Sequence, residues 1–315
     1  MVILEKPGVV AFSIDMELAW GCFYKNSVLN IRKRLSGSRE ILKKLLHELS
    51  AREISMTWVV GHLFLSECSG QHGQKEPLQD WFERDWYSGD PGTDLTRDPE
   101  WYGADMVRSI RECRPAQEIG AHGFSHCFLD DPAVTDQHME IELQAAVEAA
   151  AKEGVKLESF VFPKNRISRT GLLKEAGFVT YRAQGKEMGA GRNRGIRDKL
   201  MHLFLQATGT PPQPEQAWFD RHGMLAVPGT CLYLSTAGWR AAIPIRMRVR
   251  RAVKGMERAA LKGGLFHLWF HLEDFLESKE SYFAGLRKIL ARAAQLRDDG
   301  KIRIMTMAQM AKEVL

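Results

Sequence analysis

The chain has 315 residues, 44 % of them hydrophobic, a formal net charge of +5 and five cysteines. That length can bury one large core, and α/β barrels of this size fold as one domain; so small a charge excess singles out no nucleic-acid partner. The cysteines (Cys22, Cys68, Cys113, Cys127, Cys231) are odd in number and lack C-x-x-C spacing, which excludes a disulfide framework and a cysteine-rich zinc site.

In chain order, short apolar runs alternate with amphipathic ones. Gly8–Ile14 is continuous and apolar, as expected of a strand buried on both faces. Ser38–Leu49 follows as a helix capped by Ser38, with Ile41, Leu42, Leu45, Leu46 and Leu49 on one face. Met56–Val60 reads as a strand, Asp105–Cys113 as a helix, Glu118–Ala121 as a strand and Thr135–Lys152 as a helix. Ser159–Phe162 (strand), Ser168–Ala176 (helix) and Val179–Tyr181 (strand) keep the alternation. Leu265–Phe270 is another strand and Ser278–Leu296 a helix. Ile302–Met305 is the last strand, and Thr306 and Gln309 form a capping box that opens the final helix.

Repeated strand–helix units imply parallel strands with right-handed crossovers, and the absence of a dinucleotide glycine fingerprint favours a barrel over an open sheet. The expected fold is therefore α/β, a distorted (β/α) barrel of about seven parallel strands. It forms one domain over residues 1–315, with long loops at 66–103 and 186–195. The first loop carries Trp81, Trp86 and Trp101, and so many aromatics predict an ordered loop. No apolar run reaches the roughly 18–20 residues of a membrane span. The opening MVILEKPG lacks the pattern of a secretory signal, so a cytoplasmic location is expected.

Polar residues gather where predicted strands stop. Asp15, Glu17, His122, the Pro163–Asn165 segment and His271 all follow strand C-termini, which meet at one rim in a barrel. His122 and His126, four apart, can each give a nitrogen to one divalent ion. On a strand Asp15 and Glu17 point the same way, and two carboxylates side by side call for a shared cation or proton. Two imidazoles and a carboxylate suit zinc, with cobalt, nickel or iron(II) as substitutes, and leave a place for water. Cys127 is disfavoured as a ligand, because adjacent residues rarely converge on one metal.

The runs FSIDME at 12–17, TWVVGH at 57–62, EIGAHGFSH at 118–126, FVFPKN at 160–165 and LWFH at 268–271 occur in an order that resembles the polysaccharide deacetylase (NodB-homology, carbohydrate esterase family 4-like) superfamily. The resemblance implies a distorted barrel and metal-dependent hydrolysis of an acyl group on a carbohydrate. It implies Asp15 as catalytic base, Glu17 in place of the metal-binding aspartate, His122 and His126 as ligands, and His271 as the acid that protonates the leaving amine. Two departures stand out. The carboxylates are separated by Met16, as in a branch that includes intracellular deacetylases and cyclic-amide hydrolases, and Val161 stands where the third motif has an arginine. Lys164, Arg166 and Arg182 are the candidates for the missing charge.

Trp20, Pro163, Lys164, Asn165 and Arg182 are read as substrate-binding, with Trp20, Trp269 and Trp101 as stacking faces for a sugar and a backbone N–H near Asn165 as an oxyanion donor. Arg246–Arg258 is strongly basic with interleaved Met247, Val249, Val253 and Met256. It reads as a solvated helix face, or as a patch for a nucleotide-linked or lipid-linked sugar or for peripheral membrane contact. The leading expectation is an N-acetyl-sugar deacetylase of surface-polysaccharide biosynthesis. A hydrolase of a non-carbohydrate amide (a cyclic ureide, formyl or polyamine amide) and an inactive glycan-binding barrel are the alternatives.

Overall fold

The computed structural model describes residues 7–25, 28–69, 86–186, 196–277 and 279–314. Residues 70–85, with Trp81, and 187–195, most of the second predicted loop, lie outside the described residues. Among the described residues ten strands form one sheet: β1 (Gly8–Asp15), β2 (Thr57–Val60), β3 (Glu118–Ala121), β4 (Ser159–Phe160), β5 (Thr180–Gln184), β6 (Trp218–Phe219), β7 (Leu225–Gly229), β8 (Cys231–Leu232), β9 (Leu265–His271) and β10 (Ile302–Ile304). The helices are α1 (Val28–Leu35), α2 (Ser38–Ser50), α3 (Ala104–Glu112), α4 (Asp136–Lys152), α5 (Thr170–Glu175), α6 (Ile196–Thr208), α7 (Ile245–Lys262), α8 (Asp274–Glu277), α9 (Lys279–Asp298) and α10 (Met307–Val314).

The sheet curls into the expected distorted barrel, with more strands than the seven read from the sequence. β1 pairs with β2 and β9, and β2, β3, β4, β5 and β7 follow in parallel. β7 and β8 are two halves of one run interrupted at Thr230. The first half bonds to β5 and the second to β9, which brings the ends of the sheet together. The Thr230 hydroxyl spans the interruption, accepting from the His267 N–H at 2.8 Å and donating to the His267 carbonyl at 3.2 Å. β6 is a short antiparallel addition to β7, and β10 pairs with the first residues of β1. These short pieces carry too little periodicity to be read from sequence.

Alternation along the strands explains where the site falls. On β1, Val10, Phe12 and Ile14 join the core under the helices, while Val9 and Ala11 join a second cluster inside the barrel with Val59, Val161, Leu225, Val227 and Leu265. Met305, Met307 and Met310 belong to that inner cluster and close its lower end. With a period of two, the next inward positions are Ser13 and Asp15 on β1, Arg182 on β5, and His267 and His271 on β9. The interior thus turns from apolar to polar towards the strand C-termini.

One local expectation needs correction. Gly37, at φ 94°, stands at the N-cap of α2, and Ser38 is its first residue, its hydroxyl turned back to the Leu35 carbonyl. The helix expected at Ser278–Leu296 is α9, with Ser278 outside the described residues. The capping box of Thr306 and Gln309 is present, with reciprocal bonds of 2.9 and 3.3 Å. No helix among the described residues is long and apolar enough to cross a membrane.

The basic run lies on α7, and the structure divides it. Arg248 and Arg251 are each 2 % exposed and donate to the carbonyls of Arg240 and Thr210. Arg258 donates to the Pro211 carbonyl at 2.5 Å. Met256, Val249 and Val253 pack into the core, and Arg246, Arg250 and Lys254 face solvent.

Candidate metal centre and active site

Three side chains converge at the rim. Glu17 Oε1 lies 3.2 Å from His122 Nε2 and 3.1 Å from His126 Nε2, and all three residues are largely buried. A tetrahedral ion with bonds of about 2.0–2.1 Å separates its donor atoms by about 3.3 Å, so the spacing fits one shared ion. His122 Nδ1 donates to the Val161 carbonyl at 2.7 Å. In the neutral ring this leaves a lone pair on Nε2 aimed at the carboxylate oxygen, an arrangement that a cation or a proton between them relieves. Burial drops the His126 pKa to about 4 despite Glu17, so that ring is also a neutral donor near pH 7. A void of about 10 Å³ beside these atoms, lined also by Met16, Trp20, Gly61, His62 and Phe124, has room for one water-sized particle. The donor set fits a divalent metal. Among the described residues, Cys127 belongs to no such ligand group.

The histidine segment is held from below. Glu142 on α4 accepts the backbone N–H groups of Phe124 (2.9 Å) and Ser125 (3.0 Å), and the Trp86 indole donates to the Ser125 carbonyl at 2.9 Å. Gly123 (φ 74°) and His126 (φ 62°) turn the chain so that both rings face Glu17. Leu18, His126, Lys164 and Asn165, four of the non-glycine residues with positive φ, all sit at this rim. Such backbone costs about 1–3 kcal/mol per residue and concentrates where geometry serves function. At the end of β2, Gly61 lies so close to this segment that a methyl group there would run into the Gly123 carbonyl oxygen.

Asp15 occupies the other side. Arg182 grips it through Nη1 to Oδ1 (2.7 Å) and Nη2 to Oδ2 (2.6 Å), both side chains being at most 2 % exposed. The remaining guanidinium protons go to Ser13 Oγ (3.1 Å) and Asn165 Oδ1 (3.1 and 3.0 Å), so every donor is used. The guanidinium also lies over the Trp269 ring, 4.3 Å from its centroid. Ser13 in turn meets His267 Nε2 at 2.8 Å. Burial pushes the Asp15 carboxyl upward, but Arg182 outweighs it and holds the group below the usual range. Glu17 follows the same pattern: burial opposes its charge, while His126, Lys164 and the hydrogen bonds of both histidines keep it well below that range.

His271 bridges the two sides, with Nε2 3.8 Å from Asp15 Oδ2 and 3.7 Å from Glu17 Oε1. Its Nδ1 faces Asp274 Oδ2 at 3.4 Å. Burial lowers its pKa, but the bond to and charge of Asp274, then Glu17 and Asp15, lift it to about 10. Glu273 is a further buried carboxyl. Its Oε1 accepts the Leu18 N–H at 2.7 Å, and burial and the nearby Glu17 raise it to about 8.

Asp15, Glu17, His122, His126 and His271 are thus brought together. The residues read as substrate-binding fare differently. Arg182 is a clamp on Asp15 and Asn165 a support for that clamp. Near Asn165, where an oxyanion donor is expected, the Asn165 N–H donates to the Phe162 carbonyl at 2.8 Å and the Arg166 N–H to the Pro163 carbonyl at 3.2 Å. Pro163 is buried. Trp20 is 2 % exposed, its ring packed on His62, Trp101 and Phe23, while Trp269 lies under Arg182 and Trp101 is buried, so none presents an open stacking face. Only Lys164 remains exposed at the mouth. The sequence reading missed Ser13, Glu142, His267, Glu273 and Asp274; the inward alternation of β1 and β9 could have flagged Ser13 and His267.

No protein-family profile matches the chain, and neither does any curated protein. Among solved structures it is similar to a protein described as a polysaccharide deacetylase from Mycobacterium smegmatis (TM-score 0.63, 17 % identity, covering 98 % of this chain and 91 % of that one). It is also similar to one so described from Pseudomonas aeruginosa PAO1 (TM-score 0.60, 11 % identity, 97 % and 90 %). The Puue allantoinase stands beside them (TM-score 0.61, 10 % identity, 97 % and 89 %). The fold is that of the polysaccharide deacetylases, as the sequence resemblance implied. At these identities the likeness is one of fold, and a fold of this kind carries more than one chemistry.

Proposed function

We propose that the protein is a metal-dependent hydrolase that removes an N-acetyl group from a carbohydrate. The observation that carries this reading is the division of labour at the rim. Glu17, His122 and His126 converge on one point, while Asp15, held by Arg182, and His271 stand beside it. A zinc-type ion held by Glu17, His122 and His126 would supply Lewis acidity and make water easier to deprotonate. Asp15, kept ionised by Arg182, accepts the proton of the attacking water. Arg182 leaves Asp15 one orientation, and Ser13 and Asn165 fix Arg182. His271, protonated and aligned by Asp274, gives its proton to the departing nitrogen. The attack forms one C–O bond and the C–N bond then breaks, leaving acetate and an amine.

The mouth supports a finer reading. Lys25 and Lys164 approach the Tyr24 ring at 5.1 and 5.7 Å, and Arg166 lies over Phe128 at 5.1 Å. Burial and the neighbouring Lys164 and Arg166 charges depress the Lys25 pKa, the mark of cations crowded together. Such a rim favours an anionic substrate, a nucleotide-linked or lipid-linked N-acetyl sugar, and with it a place in surface-polysaccharide biosynthesis. A second reading, hydrolysis of a non-carbohydrate amide such as a cyclic ureide, draws on the likeness to an allantoinase and on the burial of Trp20, Trp101 and Trp269. Acetate release from nucleotide-linked and free N-acetylhexosamines, set beside ring opening of allantoin to allantoate, each measured with the zinc- and cobalt-loaded protein, separates them. Release from the nucleotide-linked sugar well above the free sugar is expected; turnover of allantoin alone overturns the carbohydrate reading.

A further inference from the structure

We propose that His62, Cys68 and Asp90 bind a second divalent metal of the zinc type, separate from the rim centre, which fastens the loop after β2 to the barrel. One imidazole nitrogen, one sulfur and one carboxylate oxygen from these residues lie within 4.8 Å of one another. His62 Nε2 and Asp90 Oδ2 are 3.4 Å apart, with both side chains fully buried. That is again the edge of a tetrahedron around an ion with bonds of about 2.0–2.2 Å, and mixed nitrogen, sulfur and oxygen donors are what zinc takes.

Each ligand is set by an anchor of its own. His62 opens a 3-10 turn at the end of β2, its ring 4.4 Å from Trp20 and 5.1 Å from Phe124 between centroids. Asp90 offers its other oxygen, Oδ1, to the Gly92 N–H and the Tyr102 hydroxyl, both at 2.9 Å, which aims Oδ2 towards His62. Orientation of a ligand through its second atom is how metal-binding carboxylates are tuned. Cys68 is fixed by backbone pairing across the loop, its N–H donating to Thr93 (2.9 Å) while Leu95 donates to Ser66 (2.8 Å).

Charge separates this cluster from the one at the rim. A neutral imidazole, a thiolate and a carboxylate balance a dication, so the ion is buried without net charge. Glu17 with two neutral imidazoles leaves one positive charge over, which suits a centre that must polarise a substrate. The second ion, completed by water or a further side chain, would have a structural part. It ties segments 66–69 and 90–95 to the strand end that also walls the rim centre.

The test is the cobalt-reconstituted protein, because a thiolate gives Co(II) a charge-transfer band in the near ultraviolet and the rim centre has no sulfur ligand. The wild type should take up about two equivalents and show the band. Cys68→Ser should lose the band and one equivalent, Cys22→Ser should keep both, and His126→Ala should lose one equivalent while keeping the band. Uptake without the band in the wild type overturns the second site and leaves the rim centre standing, and this reading needs no variant to fold. A band that survives Cys68→Ser also overturns it. Undiminished stoichiometry in His126→Ala counts against the rim centre alone, and no uptake at all overturns both.

Discussion

The two sides of the rim are built on opposite plans. On one, Glu17, His122 and His126 point at a shared space, with both imidazole Nε2 atoms on the same Glu17 oxygen. On the other, Asp15 and Arg182 spend every guanidinium proton on fixed partners. A site awaiting an ion leaves donors converging; a site that must keep one ionisation state and one orientation closes them off. On the proposed mechanism the contrast makes Glu17 the ligand and Asp15 the base.

The largest effect should come from the convergent side. His122→Ala or His126→Ala should lose both the rim metal and activity, checked by metal analysis beside acetate release. Asp15→Asn should lower kcat by about 10²–10⁴-fold while sparing the metal, as expected for removal of a general base; if the metal goes instead, the two sides have been assigned in reverse. Arg182→Met leaves a buried carboxylate without its partner and should cost about 3–5 kcal/mol in chemical denaturation. The smallest change is Asp274→Asn. Asp274 raises the His271 pKa, and an acid catalyst works only below its pKa. Without that carboxylate the alkaline fall in kcat should begin at lower pH, while the acid limb stays in place.

Much of this rim was legible because strands stop in recognisable ways. Asp15, Glu17, His122 and His271 follow apolar runs, and barrel topology then makes them neighbours. The clamp was not legible as a role. Arg182 sits in the next strand after the third motif, and only the inward alternation of β5 against β1 brings it to Asp15. Trp20 misled because residue type says nothing of which way a ring faces in a short 3-10 turn. Glu142 acts through two backbone N–H groups a helix away, and no side-chain motif encodes that. His62, Cys68 and Asp90 lie at a strand end and in the irregular loop beyond it, where no period relates them.

The bare backbone of Gly61 couples the two candidate ligand clusters. It joins the strand end preceding His62 to the carbonyls of the segment bearing His122 and His126 with no side chain between them. The clusters are therefore party-wall neighbours. Bulk added at this one position would displace ligands in both rooms at once, so a chain of this type can rebuild the outer loop only within limits set by the segment bearing His122 and His126.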